Sequence, residues 1–324
     1  MAVTGATLVD IEAIERAADR IAGEALRTPV VDCTLPERPG RLLVKAESLQ
    51  PVGSFKLRGA YNKIASLPAE QRARGVVASS SGNHAQAVAF VAQRFGIRAT
   101  IVIPQGAAEV KIAATRRYGA DVVLVPPAER DIRPLELAAE HGFALVPPYD
   151  DPDIIAGTGT IGAEIAADVP DVDLVLVPVS GGGLISGIAT AIKTLCPHAR
   201  VIGVEPELAA DAVESFRRGQ RVEWTPEQTF RTAADGLRTT SVGELPWQHI
   251  RRYVDEMVTV SEDQIRDAIR TLARSARLVA EPSGAVATAA YLALPELSDG
   301  VATTVAVVSG GNADPALLAE ILRG

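Results

Sequence analysis

The feature that most constrains this chain is a repeated alternation. A short aliphatic run is closed by turn residues, a longer amphipathic stretch follows, and the pattern recurs along most of the length. The runs fall at Leu42–Ala46, Val76–Ala78, Ala99–Ile103, Asp121–Val125, Leu174–Pro178, Val201–Glu205 and Thr303–Val308. Runs this short and β-branched, ended by Gly, Ser or Pro, predict buried strands. The stretches between them predict helices over Asp10–Ala22, Lys56–Leu67, Ala85–Phe95, Ala108–Tyr118, Pro134–His141, Ile155–Asp168, Leu184–Thr194, Ser261–Arg274, Gly284–Leu294 and Pro315–Leu322. Ser261 with Gln264 reads as a capping box. Strand–helix alternation predicts an α/β fold of open, twisted, mostly parallel sheets with flanking helices. Composition agrees: 47% of residues are hydrophobic but only 4% aromatic, the aliphatic mixture of buried parallel strands.

Several function classes drop out early. No apolar run is long enough to span a bilayer: Leu174–Val177 is stopped by Pro178, and Val301–Val308 carries two threonines. Met1–Asp10 lacks the pattern of a secretory leader. Two cysteines, Cys33 and Cys196, cannot make a disulfide framework, and no Cys/His cluster has zinc spacing. A cytoplasmic location is expected. The net charge of −8 argues against a nucleic-acid surface, so any bound anion must be gripped locally by backbone amides or placed cations.

Four Gly/Ser-rich segments follow predicted strands, where α/β sheets bind ligands. In Ser180-Gly-Gly-Gly-Leu184, three consecutive glycines would weaken a strand or helix, but they make a turn whose amides converge beside a helix N-terminus. That is a phosphate seat, or equally a tight turn. Gly53-Ser-Phe-Lys56 puts a lysine at the mouth of a helix, where the dipole disfavours a cation and lowers the ammonium pKa. Such a lysine can form a Schiff base, or can be an ordinary solvated first-turn residue. Ser79-Ser-Ser-Gly-Asn-His84 and Ser309-Gly-Gly-Asn312 are, in isolation, a helix cap and a turn.

Taken together, in this order and spacing, the four segments resemble the fold type II pyridoxal 5'-phosphate (PLP) enzymes, specifically the threonine/serine dehydratase and serine racemase group. The resemblance runs from Arg27-Thr-Pro29 to Asn312. It implies two α/β domains, a larger one of residues 1–49 and 148–324 and a smaller, mobile one of 50–147, and a homodimer. It implies that Lys56 carries the cofactor and that Phe55 lies against its ring. Asn83 would bind the ring 3'-oxygen, Gly181, Gly182, Gly183 and Leu184 the phosphate, and Ser309 the pyridine nitrogen. Ser180 stands where relatives often have another glycine. Ser81 matches the serine on the cofactor face opposite the lysine, and Ser80, Ser81, Gly82, Asn83 and His84 would receive the substrate carboxylate. Glu205, the carbonyl of Ala209 and Asp211 match the group's Mg²⁺ or Ca²⁺ site, although two acids in a strand-to-helix loop can also simply be solvated.

The activity so implied is PLP-dependent elimination of water from L-threonine or L-serine, giving 2-oxobutanoate or pyruvate and ammonia. Serine racemase and 3-hydroxyaspartate dehydratase activities are the alternatives, with a non-catalytic PLP-binding protein more remote. β-Replacement enzymes usually have Asp after the lysine, where this chain has Leu57. Pro51 and Val52 replace a basic residue and Thr of the nucleotide-regulated racemase, so ATP activation is not expected. Thr158 replaces a frequent Gln near the substrate entrance. Arg238 replaces a frequent Lys and could offer a fork to a second carboxylate, or make a surface or interface ion pair. The chain ends soon after Ser309, so feedback control through a C-terminal amino-acid-sensing domain is not expected.

Overall fold

The computed structural model describes residues 7–36 and 38–323. Residues 1–6, most of the segment read for a leader, lie outside them. Among the described residues, ten strands form two sheets. The strands are β1 (Val30–Asp32), β2 (Arg41–Ala46), β3 (Val76–Ser79), β4 (Ala99–Pro104), β5 (Asp121–Val125), β6 (Ala144–Leu145), β7 (Leu174–Pro178), β8 (Arg200–Pro206), β9 (Glu256–Val260) and β10 (Thr303–Val308). The larger sheet has the order β1-β2-β10-β7-β8-β9 and the smaller β5-β4-β3-β6. Every pairing is parallel except the β1–β2 edge. The α/β expectation holds.

All seven expected strands are present. The three that were not expected are short or carry little apolar signal: β1 has three residues and β6 two, while β9 begins with Glu256. β2, β7 and β10 are buried on both faces apart from Arg41, which is why they read as unbroken aliphatic runs. Two apolar cores sandwich the larger sheet, one built on Leu42, Leu176 and Ala306 and the other on Leu43, Val175 and Val307. The alternation of these neighbours along each strand is the two-residue period of the sheet. A third core, with Val76, Ala78 and Ile101, supports the smaller sheet.

The capping box at Ser261 is formed, and its helix runs Glu262–Thr271. A π turn, Leu272–Ala276, follows and ends at Arg277, the one non-glycine residue with positive φ (58°) among those described.

One seam of the core matters for function. The buried helix Pro152–Asp168 touches two others backbone to backbone. A methyl group on Gly157 would lie 2.8 Å from the Cα of Gly59 in the helix Lys56–Ser66. One on Gly162 would lie 2.7 Å from the carbonyl of Ile188 in the helix Gly183–Leu195. Only glycine permits approaches this close. The helix that begins with Lys56 and the helix that begins at the triple glycine are thus braced on one rod.

Candidate active site

The turn after β3, the turn after β7 and the turn after β10 all lie at carboxyl ends of parallel strands, and the loop after β2 reaches Lys56. Backbone bonds tie two of these segments together. Phe55 N–H donates to the Ser309 carbonyl at 3.0 Å, and Gly311 N–H to the Gly53 carbonyl at 2.9 Å.

Lys56 is the first residue of its helix and partly buried. Its ammonium donates to the Pro148 carbonyl at 2.6 Å and lies 5.1 Å from the Phe55 ring centroid. Burial lowers its pKa from 10.5 to about 8. The direction is the one expected from the sequence, but the cause is desolvation rather than the helix dipole.

Next to Pro148, Tyr149 roofs the triple glycine. A methyl group on Gly181 would strike the Tyr149 ring, and one on Gly183 would sit 2.9 Å from the Tyr149 backbone. Gly182 has φ 88° and caps the helix Gly183–Leu195, with no side chain filling the cap. The first-turn amides of that helix therefore keep their donors for a ligand. Ser180 is turned aside, its hydroxyl paired with that of Thr239 at 2.8 Å. Thr158 is not at an entrance. It is buried and donates to the carbonyls of Ile155 and Gly183, both at 2.9 Å, so it props the glycine turn from beneath.

Asn83 starts the helix Asn83–Phe95. Its amide donates to Glu281 Oε1 at 2.6 Å and accepts from Asn312 Nδ2 at 2.7 Å. Ser309 is buried beside them, with its hydroxyl 3.5 Å from the Ser283 carbonyl. His84 is buried with Nε2 2.8 Å from the Val146 carbonyl. That carbonyl only accepts, so Nε2 carries the proton, and burial with the nearby Lys56 charge lowers the pKa to about 3. A neutral, committed imidazole leaves only its backbone amide for a substrate. Ser80 and Ser81 are partly exposed in the turn between β3 and Asn83, and Ser80 Oγ accepts from Gly82 N–H at 3.2 Å. A methyl group on Gly82 would meet nothing within 4 Å, so this turn faces open space.

Amine, amide donors and hydroxyl thus lie on turns and helix starts at the carboxyl ends of the parallel strands, and the set fits a phosphorylated pyridine aldehyde. The glycine turn has no room for side chains, its amides suit an anion, and the lysine is poised to lose its proton. Three residues of this cluster carried no role in the sequence reading, Glu281, Asn312 and Tyr149, and Thr158 was given a different one. Glu281 left one readable trace, as the single charged residue in the stretch Leu278–Ala293.

Two further features lie outside this cluster. Glu205 and Asp211 are buried together. Glu205 Oε1 and both carboxylate oxygens of Asp211 have no hydrogen-bond partner, while Glu205 Oε2 accepts from Val213 N–H at 2.8 Å. Burial, and for Glu205 also the neighbouring Asp211, pushes both carboxyls up, Asp211 to about 7. Arg238 makes no ion pair among the described residues: its Nε and Nη2 converge on the Thr232 carbonyl, and the guanidinium lies 5.5 Å from the Phe230 ring centroid. The surface ion pair considered for it is not formed within the chain. Lys111 does reach across, pairing with Asp235 in the Asp-Gly turn.

The family model described as "Pyridoxal-phosphate dependent enzyme" matches residues 21–310. The L-threonine ammonia-lyase of Thermotoga maritima is 48% identical over 288 residues, covering 88% of this chain and 70% of that protein. The catabolic L-threonine dehydratase TdcB of Escherichia coli K12 is 42% identical over 319 residues, covering 97% of this chain and 96% of that protein. Among solved structures, maize serine racemase superposes with a TM-score of 0.90 at 35% identity, covering 98% of each chain. This chain therefore belongs to the pyridoxal-phosphate dependent enzymes, in their fold type II threonine/serine dehydratase family.

Proposed function

We propose that the chain is a PLP-dependent ammonia-lyase that removes water from L-threonine or L-serine, with Lys56 as the residue that holds the cofactor and moves the substrate's α-proton. The observation that carries this reading is the amine itself: buried, 2.6 Å from a backbone carbonyl, with its pKa lowered to about 8. Bound PLP supplies an electron sink for the charge left when the α-proton departs. A lysine of ordinary pKa is almost wholly protonated at neutral pH, whereas burial gives this one a larger unprotonated fraction there.

The first-turn amides of Gly181, Gly182, Gly183 and Leu184 hold the phosphate, and Phe55 packs against the ring. Ser309 offers the ring nitrogen a neutral hydroxyl rather than an acid. The turn Ser80–His84 binds the substrate carboxylate through backbone amides. The division into residues 1–49 with 148–324, and 50–147, is part of this reading; since the helix Lys56–Ser66 is braced on Pro152–Asp168, the approach that would exclude water falls to the sheet β5-β4-β3-β6 and its turns. Glu205, the Ala209 carbonyl and Asp211 would hold Mg²⁺ or Ca²⁺, since three buried carboxylate oxygens otherwise lack any partner. Homodimeric assembly rests on the family resemblance, and cytoplasmic location on the reading of the sequence's apolar runs and cysteines.

A racemase reading is favoured by one feature, Ser81 in the turn beside the open space at Gly82. A serine there could exchange a proton on the face opposite Lys56. In the 3-hydroxyaspartate reading, Arg238 would use the guanidinium N–H groups that remain after Nε and Nη2 bond the Thr232 carbonyl.

The test is direct. Protein loaded with PLP is treated with borohydride, digested and mapped by mass spectrometry, and assayed with L-threonine and L-serine for 2-oxo acid and for D-amino acid. Label on Lys56 with 2-oxo acid as the main product is expected. An unlabelled Lys56 refutes the reading, and D-amino acid in excess replaces it with the racemase.

A further inference from the structure

Resting on the PLP reading, we infer that Glu281 and Asn312 are positioning residues that fix which end of the Asn83 amide faces the cofactor. The argument is one of hydrogen-bond bookkeeping between three side chains. Asn312 Nδ2 lies 2.9 Å from the Val52 carbonyl and 2.7 Å from Asn83 Oδ1. A backbone carbonyl can only accept, so Asn312 must present its NH₂ there, and that NH₂ uses both of its protons on Val52 and Asn83. Asn83 must therefore turn its oxygen to Asn312. With its oxygen so turned, Asn83 points Nδ2 at Glu281 Oε1, 2.6 Å away, and donates to it. The fixed acceptor at Val52 sets a single orientation of both amides, and the Glu281 contact agrees with it.

One proton of Asn83 remains uncommitted. Asn83 can thus offer the ring 3'-oxygen a donor and never an acceptor. A donor stabilises that oxygen in its deprotonated form, the form of the bound cofactor that absorbs visible light. Without the relay, the amide could rotate and present its oxygen, which would favour the protonated, near-ultraviolet form.

The surroundings hold the relay in place. Glu281 is buried, and a side chain on Gly310 would run into its carboxylate. A side chain on Gly53 would run into Asn312. Gly310 belongs to a segment that reads as a bland turn in isolation and Gly53 to the one that carries the lysine, and both make room for the relay.

The experiment compares wild type, Glu281→Leu, Glu281→Gln and Asn312→Asp, each loaded with PLP. The readout is the ratio of visible to near-ultraviolet absorbance of the bound cofactor at fixed pH. Glu281→Leu removes the acceptor, and Asn312→Asp puts an acceptor where both neighbours need a donor. Each is expected to shift the ratio about tenfold toward the near-ultraviolet form, the effect of one charge-assisted hydrogen bond. Glu281→Gln keeps an acceptor oxygen and should restore most of the visible band. Unchanged ratios in both Glu281→Leu and Asn312→Asp overturn the inference, and if Glu281→Leu does not fold, Asn312→Asp alone decides. A colourless wild type would instead sink the PLP reading itself, so the two failures are distinguishable.

Discussion

Replacing Arg58 by Met should expose how the lysine-bearing helix is anchored. Arg58 lies two residues after Lys56 and is fully buried. Its guanidinium forks onto Glu47 at 2.9 and 2.8 Å, onto Glu164 at 2.6 and 2.9 Å, and reaches Thr160 and the Leu26 carbonyl. Glu164 has a second cation, Lys45, at 2.6 Å. Glu47 would keep only the Thr28 hydroxyl and Gln50 as hydrogen-bond donors. Removing one partner of a buried pair costs about 3–5 kcal/mol, because the other charge is left uncompensated. That is a large part of the roughly 5–15 kcal/mol that holds a typical protein folded.

The pH dependence identifies the stranded group. Burial alone would raise the Glu47 pKa, but the charge and hydrogen bonds of Arg58, helped by the Thr28 hydroxyl and the Lys45 charge, more than offset it, and the net shift is downward. In wild type this contribution is complete above the usual carboxylate range and is lost only as pH falls through the lowered value. Without Arg58 the burial effect prevails and the shift reverses, so the variant should gain stability as pH falls from 7 toward 5. Urea unfolding followed by the fluorescence of Trp224 and Trp247 measures both effects. The double variant Arg58→Met/Glu47→Gln should recover part of the loss at pH 7. A single variant within about 1 kcal/mol of wild type, or a double variant no more stable than the single, would refute the reasoning.

Three further outcomes are expected. Burial raises the Glu281 pKa to about 7, so in cofactor-free protein this group destabilises the fold increasingly as pH rises from its ordinary value through 7. Glu281→Gln should remove that slope and stabilise the protein at pH 8 by up to about 3 kcal/mol, and an unchanged pH profile by calorimetry would contradict it. Gly181→Ala would set a methyl group into the Tyr149 ring, so PLP titration should show at least about tenfold weaker binding, equivalent to the 1–3 kcal/mol of an overpacked site. Native-like affinity in that variant would mean that the glycine turn is not the phosphate seat. Adding Mg²⁺ or Ca²⁺ to chelator-treated protein should raise the melting temperature, by the equivalent of about 3 kcal/mol at a hundredfold excess over Kd. Asp211→Asn should abolish that response while PLP still binds, and a wild type indifferent to both cations would dismiss the site.

The strands of the larger sheet were legible because burial on both faces leaves unbroken aliphatic runs, as in Leu174–Pro178 and Thr303–Val308. β6 was not, because two residues carry no period. The site was legible where chemistry forces a residue type in a local pattern: three glycines before a helix, a lysine after Gly-Ser-Phe. Glu281 and Asn312 escaped because their significance lies in pairing with Asn83, 198 and 229 residues away. The reason for a low lysine pKa was misassigned for a similar cause, since burial is created by the fold and cannot be read from neighbours in sequence. Thr158 was placed at an entrance by analogy, and only the packing of its helix shows that it faces inward.

The glycine seam along Pro152–Asp168 acts as a fixed gauge. Where peptide planes themselves meet, at Gly157 against Gly59 and at Gly162 against Ile188, there is no side chain to trim, lengthen or rotate. The separation between the amine and the anion cradle cannot be retuned by ordinary repacking of the interior. Any adjustment is thereby left to turns that carry side chains and face open space, such as the one around Gly82, while the span between the two helix starts stays constant.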